Sequence, residues 1–118
     1  MNIIGPLIKY QQQLRVFHWQ TKIYAEHKAF GKTYEQLDDL IDNFIETYQG
    51  RYGRVKPTTI YKIELKSLDS DNTLNECLSE AINYLKGMST ELKDTDLLNL
   101  RDEMLGVYHR LKYLLTFE

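Results

Sequence analysis

The stretch from His27 to Gly50, HKAFGKTYEQLDDLIDNFIETYQG, decides the fold. Within it Phe30, Tyr34, Leu37, Ile41, Phe44 and Tyr48 recur at alternating steps of three and four, the spacing that gathers side chains onto one face of an α-helix. Gly50 and Gly53 follow as stop signals.

Outward from this helix the same period reappears on both sides. Towards the N-terminus, Leu7, Tyr10, Leu14, Phe17, Thr21 and Tyr24 predict a first helix from about Gly5 to Lys22, with Pro6 where a helix starts. Towards the C-terminus the period is lost between Arg51 and Ser70. Gly53 and Pro57 break helix there, and Thr58 to Leu65 mixes β-branched and polar residues without clean alternation. Thr73 and Glu76 then have capping-box spacing ahead of Leu74, Cys77, Leu78, Ala81, Leu85, Met88 and Leu92, a third helix. After Lys93 to Asp96, with Asp94 or Thr95 as cap, the positions Leu97, Leu100, Met104, Tyr108, Leu111 and Leu115 mark a fourth. The expectation is an all-α single domain over residues 1–118. It would be a ferritin-like four-helix bundle whose long crossover lets the second and third helices run parallel.

Composition narrows the function. The 118 residues are 42% hydrophobic and 27% charged, as in a soluble globular protein, and fit one domain. No 18-residue apolar stretch and no basic-then-apolar leader occur, so a cytoplasmic protein is expected. Cys77 stands alone, which excludes an internal disulfide and a thiolate-only zinc cage. A net charge of -2 argues against nucleic-acid binding. Locally the balance differs: Arg51, Arg54, Lys56, Lys62 and Lys66 face only Glu64, so residues 51–66 are a candidate contact for a protein partner or an anionic surface.

One edge of the second helix collects potential metal ligands. At about 100° per residue and with Ile41 at zero, His27 falls near 40°, Asp38 near 60°, Asp42 near 100°, Glu35 near 120° and Glu46 near 140°. Asp42 and Glu46 lie one turn apart. His18, followed by Trp19 at the end of the first helix, comes near His27 across the turn. Imidazoles with carboxylates suit iron, zinc or manganese. His27 and Asp42 are nevertheless fifteen residues apart on one helix, roughly 22 Å, so a site needing both closes only across a two-fold axis between antiparallel copies.

These residues, His18-Trp19, His27, Asp42 and Glu46, resemble the Dps-like mini-ferritin branch of the ferritin superfamily, most closely over about residues 7 to 50. The resemblance implies an inter-subunit ferroxidase centre with His18, His27, Asp42 and Glu46 as metal ligands, and Trp19 and Asp38 beside them. It further implies oxidation and storage of iron in a homo-oligomer, a two-fold dimer or a dodecamer. The sequence departs from that family at Gly31, where a further carboxylate is usual, and in the shorter spacing between its two histidines. The Lys-rich N-terminal arm that holds DNA in many members is also absent, so DNA binding is not expected. These departures motivate a second expectation: a helical scaffold without ferroxidase activity, such as a phage could encode, acting as a protein-binding or regulatory module. No Glu-x-x-His pair, P-loop, dinucleotide glycine signature or nucleophile elbow competes, and His109 reads as a structural or solvated histidine.

Overall fold

Four α-helices form where the apolar period is strongest: α1 (Ile4–Gln20), α2 (Tyr24–Tyr52), α3 (Asp71–Gly87) and α4 (Thr95–Leu114), with a 3-10 turn, Met88–Thr90, after α3. The computed structural model describes residues 2–56 and 60–117, and no strand occurs among them. Pro57 and Thr58 of the expected irregular segment lie outside the described residues.

Three helix ends differ from the sequence expectation, each for a local reason. Helix α1 stops at Gln20, because Thr21 turns to extended backbone, so Tyr24 begins α2 and is exposed instead of extending the α1 stripe. Helix α2 passes straight through Gly31 and Gly50; Gly53, at φ 88, is what ends it, in a conformation costly for any residue with a Cβ. At α3 the cap is Ser70 rather than Thr73. The Ser70 hydroxyl accepts from the Thr73 amide (3.1 Å), which starts the helix three residues early; at its other end α3 passes into the 3-10 turn at Met88, so Leu92 lies beyond it. Asp94 does stand at the N-cap of α4, but its side chain makes no capping hydrogen bond and turns instead to Tyr52 and Arg51 at the end of α2.

Packing follows the stripes. Leu14 and Phe17 of α1, Phe30, Leu37 and Phe44 of α2, Leu85 of α3 and Leu97, Met104 and Leu111 of α4 are buried in one core, and Met88 closes it beyond α3. Helix α2 packs against α1 on one side and α4 on the other; α3 packs on α4 and, more lightly, on α1. With 29 residues, α2 measures about 43 Å and accounts for the 44 Å length of the molecule.

Between α2 and α3, the chain from Tyr61 to Leu68 lies against α1. Tyr61 sits 3.8 Å from where a Cβ on Gly5 would stand, Lys66 is bonded to Gln13, and the Leu68 amide donates to Gln20 Oε1 (2.6 Å). Tyr61, Lys66 and Leu68 thus meet α1 in order from its first turn to its last, so this part of the chain runs alongside the helix as a strap that is itself neither helix nor strand. Gln13 is buried and treats Lys66 as a neighbouring strand would: its Oε1 accepts from the Lys66 amide and its Nε2 donates to the Lys66 carbonyl, both at 2.7 Å.

Candidate functional site: the histidine clasp and its aromatic rim

The turn between α1 and α2 is only Thr21 to Ile23 and is held by Thr21. The Thr21 amide continues the α1 ladder to the Phe17 carbonyl (2.9 Å), while its hydroxyl accepts from the Ile23 amide (3.2 Å) and donates to Glu26 (2.8 Å). Beneath the turn, the rings of Phe17 and Phe30 meet at 5.8 Å. Above it, His18 and His27 form a reciprocal clasp. His18 Nδ1 lies 2.6 Å from the His27 carbonyl and His27 Nδ1 lies 2.7 Å from the His18 carbonyl, with the two rings stacked at 3.9 Å and 15°. A carbonyl can only accept, so each Nδ1 carries the proton.

Gly31 makes this clasp fit. A Cβ there would come within 2.8 Å of His18 Cε1 and 3.0 Å of His18 Nδ1, closer than packed atoms stand. The helix-interior glycine is the seat of the His18 ring.

Around the clasp runs an aromatic rim. Trp19 (66% exposed), Tyr24 (70%) and Ile23 (48%) project from the turn. Arg15 is shared between two rings, its guanidinium carbon 5.1 Å from Trp19 and 4.8 Å from Tyr34. The Tyr34 hydroxyl accepts from both Arg15 (3.0 Å) and Gln12 (3.1 Å). Arg15, His18, Trp19, Gly31, Tyr34 and Glu35 line an open hollow of about 250 Å³. That is below the usual size of a small-molecule site and suits one inserted side chain.

The expected metal ligands do not meet within the chain. His18 and His27 come together, but on each other. Asp42 and Glu46 are exposed further along the same unbroken helix, about 22 Å from His27 to Asp42. Asp38, expected beside them, accepts a hydrogen bond from the buried Gln11 (2.9 Å) and serves the α1–α2 contact. Among the described residues no group of three or more His, Cys, Asp or Glu could hold a metal ion. Cys77 is a free, buried thiol, and burial pushes its pKa up, away from the reactive thiolate.

Sequence reasoning missed the glutamines. Gln11, Gln12 and Gln13 each bridge α1 to another element: to Asp38, to Tyr34 and to the strap. The available signal was Gln11 and Gln13 beside the apolar stripe of an amphipathic helix, where an amide reads as a substitute peptide group. Arg101 was missed as well; it is buried on α4 and donates to the Leu85 carbonyl and the Ser89 hydroxyl, both at 2.9 Å, where α3 ends.

Comparison with known proteins decides the family. Residues 18–115 match the model of a family of unknown function, DUF5856. The chain belongs to DUF5856. Its similarity to an uncharacterized 14.6 kDa protein from the mobD-ri intergenic region of Enterobacteria phage T4 is 30% identity over 115 residues, covering 98% of this chain and 86% of that protein. No solved structure matches.

The family corrects the mini-ferritin resemblance, because the DUF5856 match runs over the very residues, His18 to Glu46, that carried it. The expectations drawn from it fall too: a ferritin-like or Dps identity, iron binding and iron storage. The physical difference lies at Gly31. In this DUF5856 chain Gly31 seats the His18 ring at the position where the mini-ferritins usually carry a carboxylate.

Proposed function

We propose that this DUF5856 chain is a helical protein-binding module of phage type, whose contact surface is the aromatic rim on the α1–α2 turn. The observation that carries this reading is the exposure of Trp19, Tyr24 and Ile23 together, on a turn fixed by the His18–His27 clasp. Large apolar side chains exposed on either side of a short, hydrogen-bonded turn are what binding surfaces use, and Trp, Tyr and Arg dominate their energetics. The 250 Å³ hollow beside Arg15 would take a partner side chain. The phage T4 relative supports a phage setting, and the free thiol of Cys77 agrees with a reducing cytoplasm. No helix among the described residues is long and apolar enough to cross a membrane.

The scaffold for this surface is proposed to be a four-helix bundle in which α2 and α3 run the same way. Several contacts support it: Asp71, at the start of α3, shares a cleft with Ile23 and Glu26 at the start of α2. The Tyr84 hydroxyl, near the end of α3, donates to the Asn2 carbonyl (2.9 Å), while Asp94, ahead of α4, meets Arg51 and Tyr52 at the end of α2.

The test is retention of binding partners by immobilised chain, with and without Trp19→Ala and Tyr24→Ala together. Helical circular dichroism shows that both baits are folded. A protein held by the native chain and lost at least about thirtyfold with the double variant is the expected result, since such anchors each contribute about 2 kcal/mol or more. Equal retention by both overturns the reading. Trp19 is the only tryptophan, so a blue shift of its emission on adding the retained protein reports burial of the rim directly.

A further inference from the structure

The strap offers a second surface of different chemistry. Residues 60 to 67 are all exposed, including Ile60 (64%), Tyr61 (45%), Ile63 (37%) and Leu65 (41%). Exposed extended chain with large apolar side chains is the kind of edge that proteins ordinarily cover or blunt.

Its two edges are not equivalent. In extended chain, successive residues turn their amide and carbonyl groups to opposite edges. Lys66 is bonded to α1 by both its amide and its carbonyl, through Gln13, and the Leu68 amide is bonded through Gln20, so the edge that carries Lys66 is the one turned to the helix. Continued along extended chain, that alternation sets Lys62 and Glu64 on the helix edge and Tyr61, Ile63 and Leu65 on the outward edge, and among the described residues no hydrogen bond uses the backbone groups of 61 to 65.

The side chains say what fits that edge. Tyr61-Lys62-Ile63-Glu64-Leu65 is complementary to itself when two copies run antiparallel about Ile63. Ile63 then faces Ile63, Tyr61 faces Leu65, and Lys62 faces Glu64 on both sides of the axis. Opposite charges and aromatic–aliphatic pairs directly across a ladder are the favourable ones. Neighbouring registers fail: centring on Glu64 sets Glu64 against Glu64 and Lys62 against Lys66, and centring on Lys62 sets Lys62 against Lys62. A parallel, in-register pair also opposes like charges. Hydrogen bonding agrees, since the Ile63 pair and the Tyr61–Leu65 pairs use the outward edge. The Lys62–Glu64 pairs then occupy the closer, non-hydrogen-bonded sites, with Cα atoms about 4.5 Å apart.

We propose that residues 60–66 are a self-pairing strand, and that a second copy of this chain adds its strap to the outward edge to form a two-fold dimer joined by an antiparallel ribbon. Main-chain bonds supply affinity and the Lys62–Glu64 pairs set the register. The ribbon is short, so the dimer is concentration-dependent.

Sedimentation velocity on the full chain tests it, across a concentration series and at low salt. The native chain sediments as a monomer–dimer equilibrium. Lys62→Glu alone and Glu64→Lys alone each oppose two like-charge pairs and raise the dimer dissociation constant at least about tenfold. Mixing those two variants restores dimer, as a heterodimer, and so does the double exchange Lys62→Glu/Glu64→Lys. Ile63→Pro, which removes an outward amide, abolishes it. A native chain that stays monomeric to millimolar concentration overturns the proposal, as does a dimer indifferent to all these changes. Trp19→Ala, Tyr24→Ala leaves the dimer intact on this proposal; loss of the dimer in that variant alone would assign self-association to the rim and refute the strap.

Discussion

At the residue scale, Gly31 shows how one missing methyl group decides what its neighbours do. A glycine inside a helix ordinarily costs about 1 kcal/mol against alanine. Here a Cβ would strike the His18 ring at 2.8 Å, so the gain in helix propensity is opposed by expulsion of an imidazole that makes a stack and a carbonyl bond. We expect Gly31→Ala to destabilise the fold by about 1–2 kcal/mol in urea unfolding. In a His18→Ala background, where the ring is gone, the same substitution should stabilise by up to about 1 kcal/mol. A double-mutant cycle reads the difference, and additive effects would mean that the glycine does not seat the histidine.

At the element scale, polar side chains replace missing secondary structure. The strap forms no strand within the chain, and Gln13 bonds it at Lys66 with paired 2.7 Å contacts. Removing that buried amide leaves two backbone groups without their partner, so Gln13→Ala should cost about 1–3 kcal/mol. Trypsin should then cut at Lys62 and Lys66 markedly faster than in the native chain, before any loss of helical circular dichroism. Arg101 plays a related part at the other end of α3, holding the Leu85 carbonyl and the Ser89 hydroxyl. Its truncation, Arg101→Ala, should cost about 2–3 kcal/mol and speed hydrogen exchange first over residues 85–90.

At the scale of the whole molecule, stability should fall at both ends of the pH range. Hydrogen bonding from Tyr52, with Arg51 beside it, holds the Asp94 carboxyl below its ordinary value, and the Thr73 hydroxyl does the same for Asp69. A depressed carboxyl contributes stability that is present above the unfolded-state pKa of about 4 and is lost as pH falls through the folded value. Acid unfolding should therefore steepen below about pH 4, and Asp94→Asn should flatten that limb. On the alkaline side, burial pushes the hydroxyls of Tyr84 and Tyr108 well up. Their contribution is present below about pH 10 and is lost as pH rises through the folded values, so thermal melts should drop above pH 10.

The sequence by itself determined the helices. Leu37, Ile41, Phe44, Leu97, Met104 and Leu111 were legible as core because burial of an apolar stripe depends on a period that the chain carries locally. It also set His18 and His27 near one another, because a short turn leaves two helix ends nowhere else to go. Only the tertiary structure decided what those histidines do. Their hydrogen bonding depends on which groups lie within 3 Å, and the structure supplied two backbone carbonyls and a glycine seat, which spacing does not announce. The roles of Gln13, Arg101 and the strap were hidden for the same reason: a polar side chain has no period, and its meaning is set by the partner that folding brings to it.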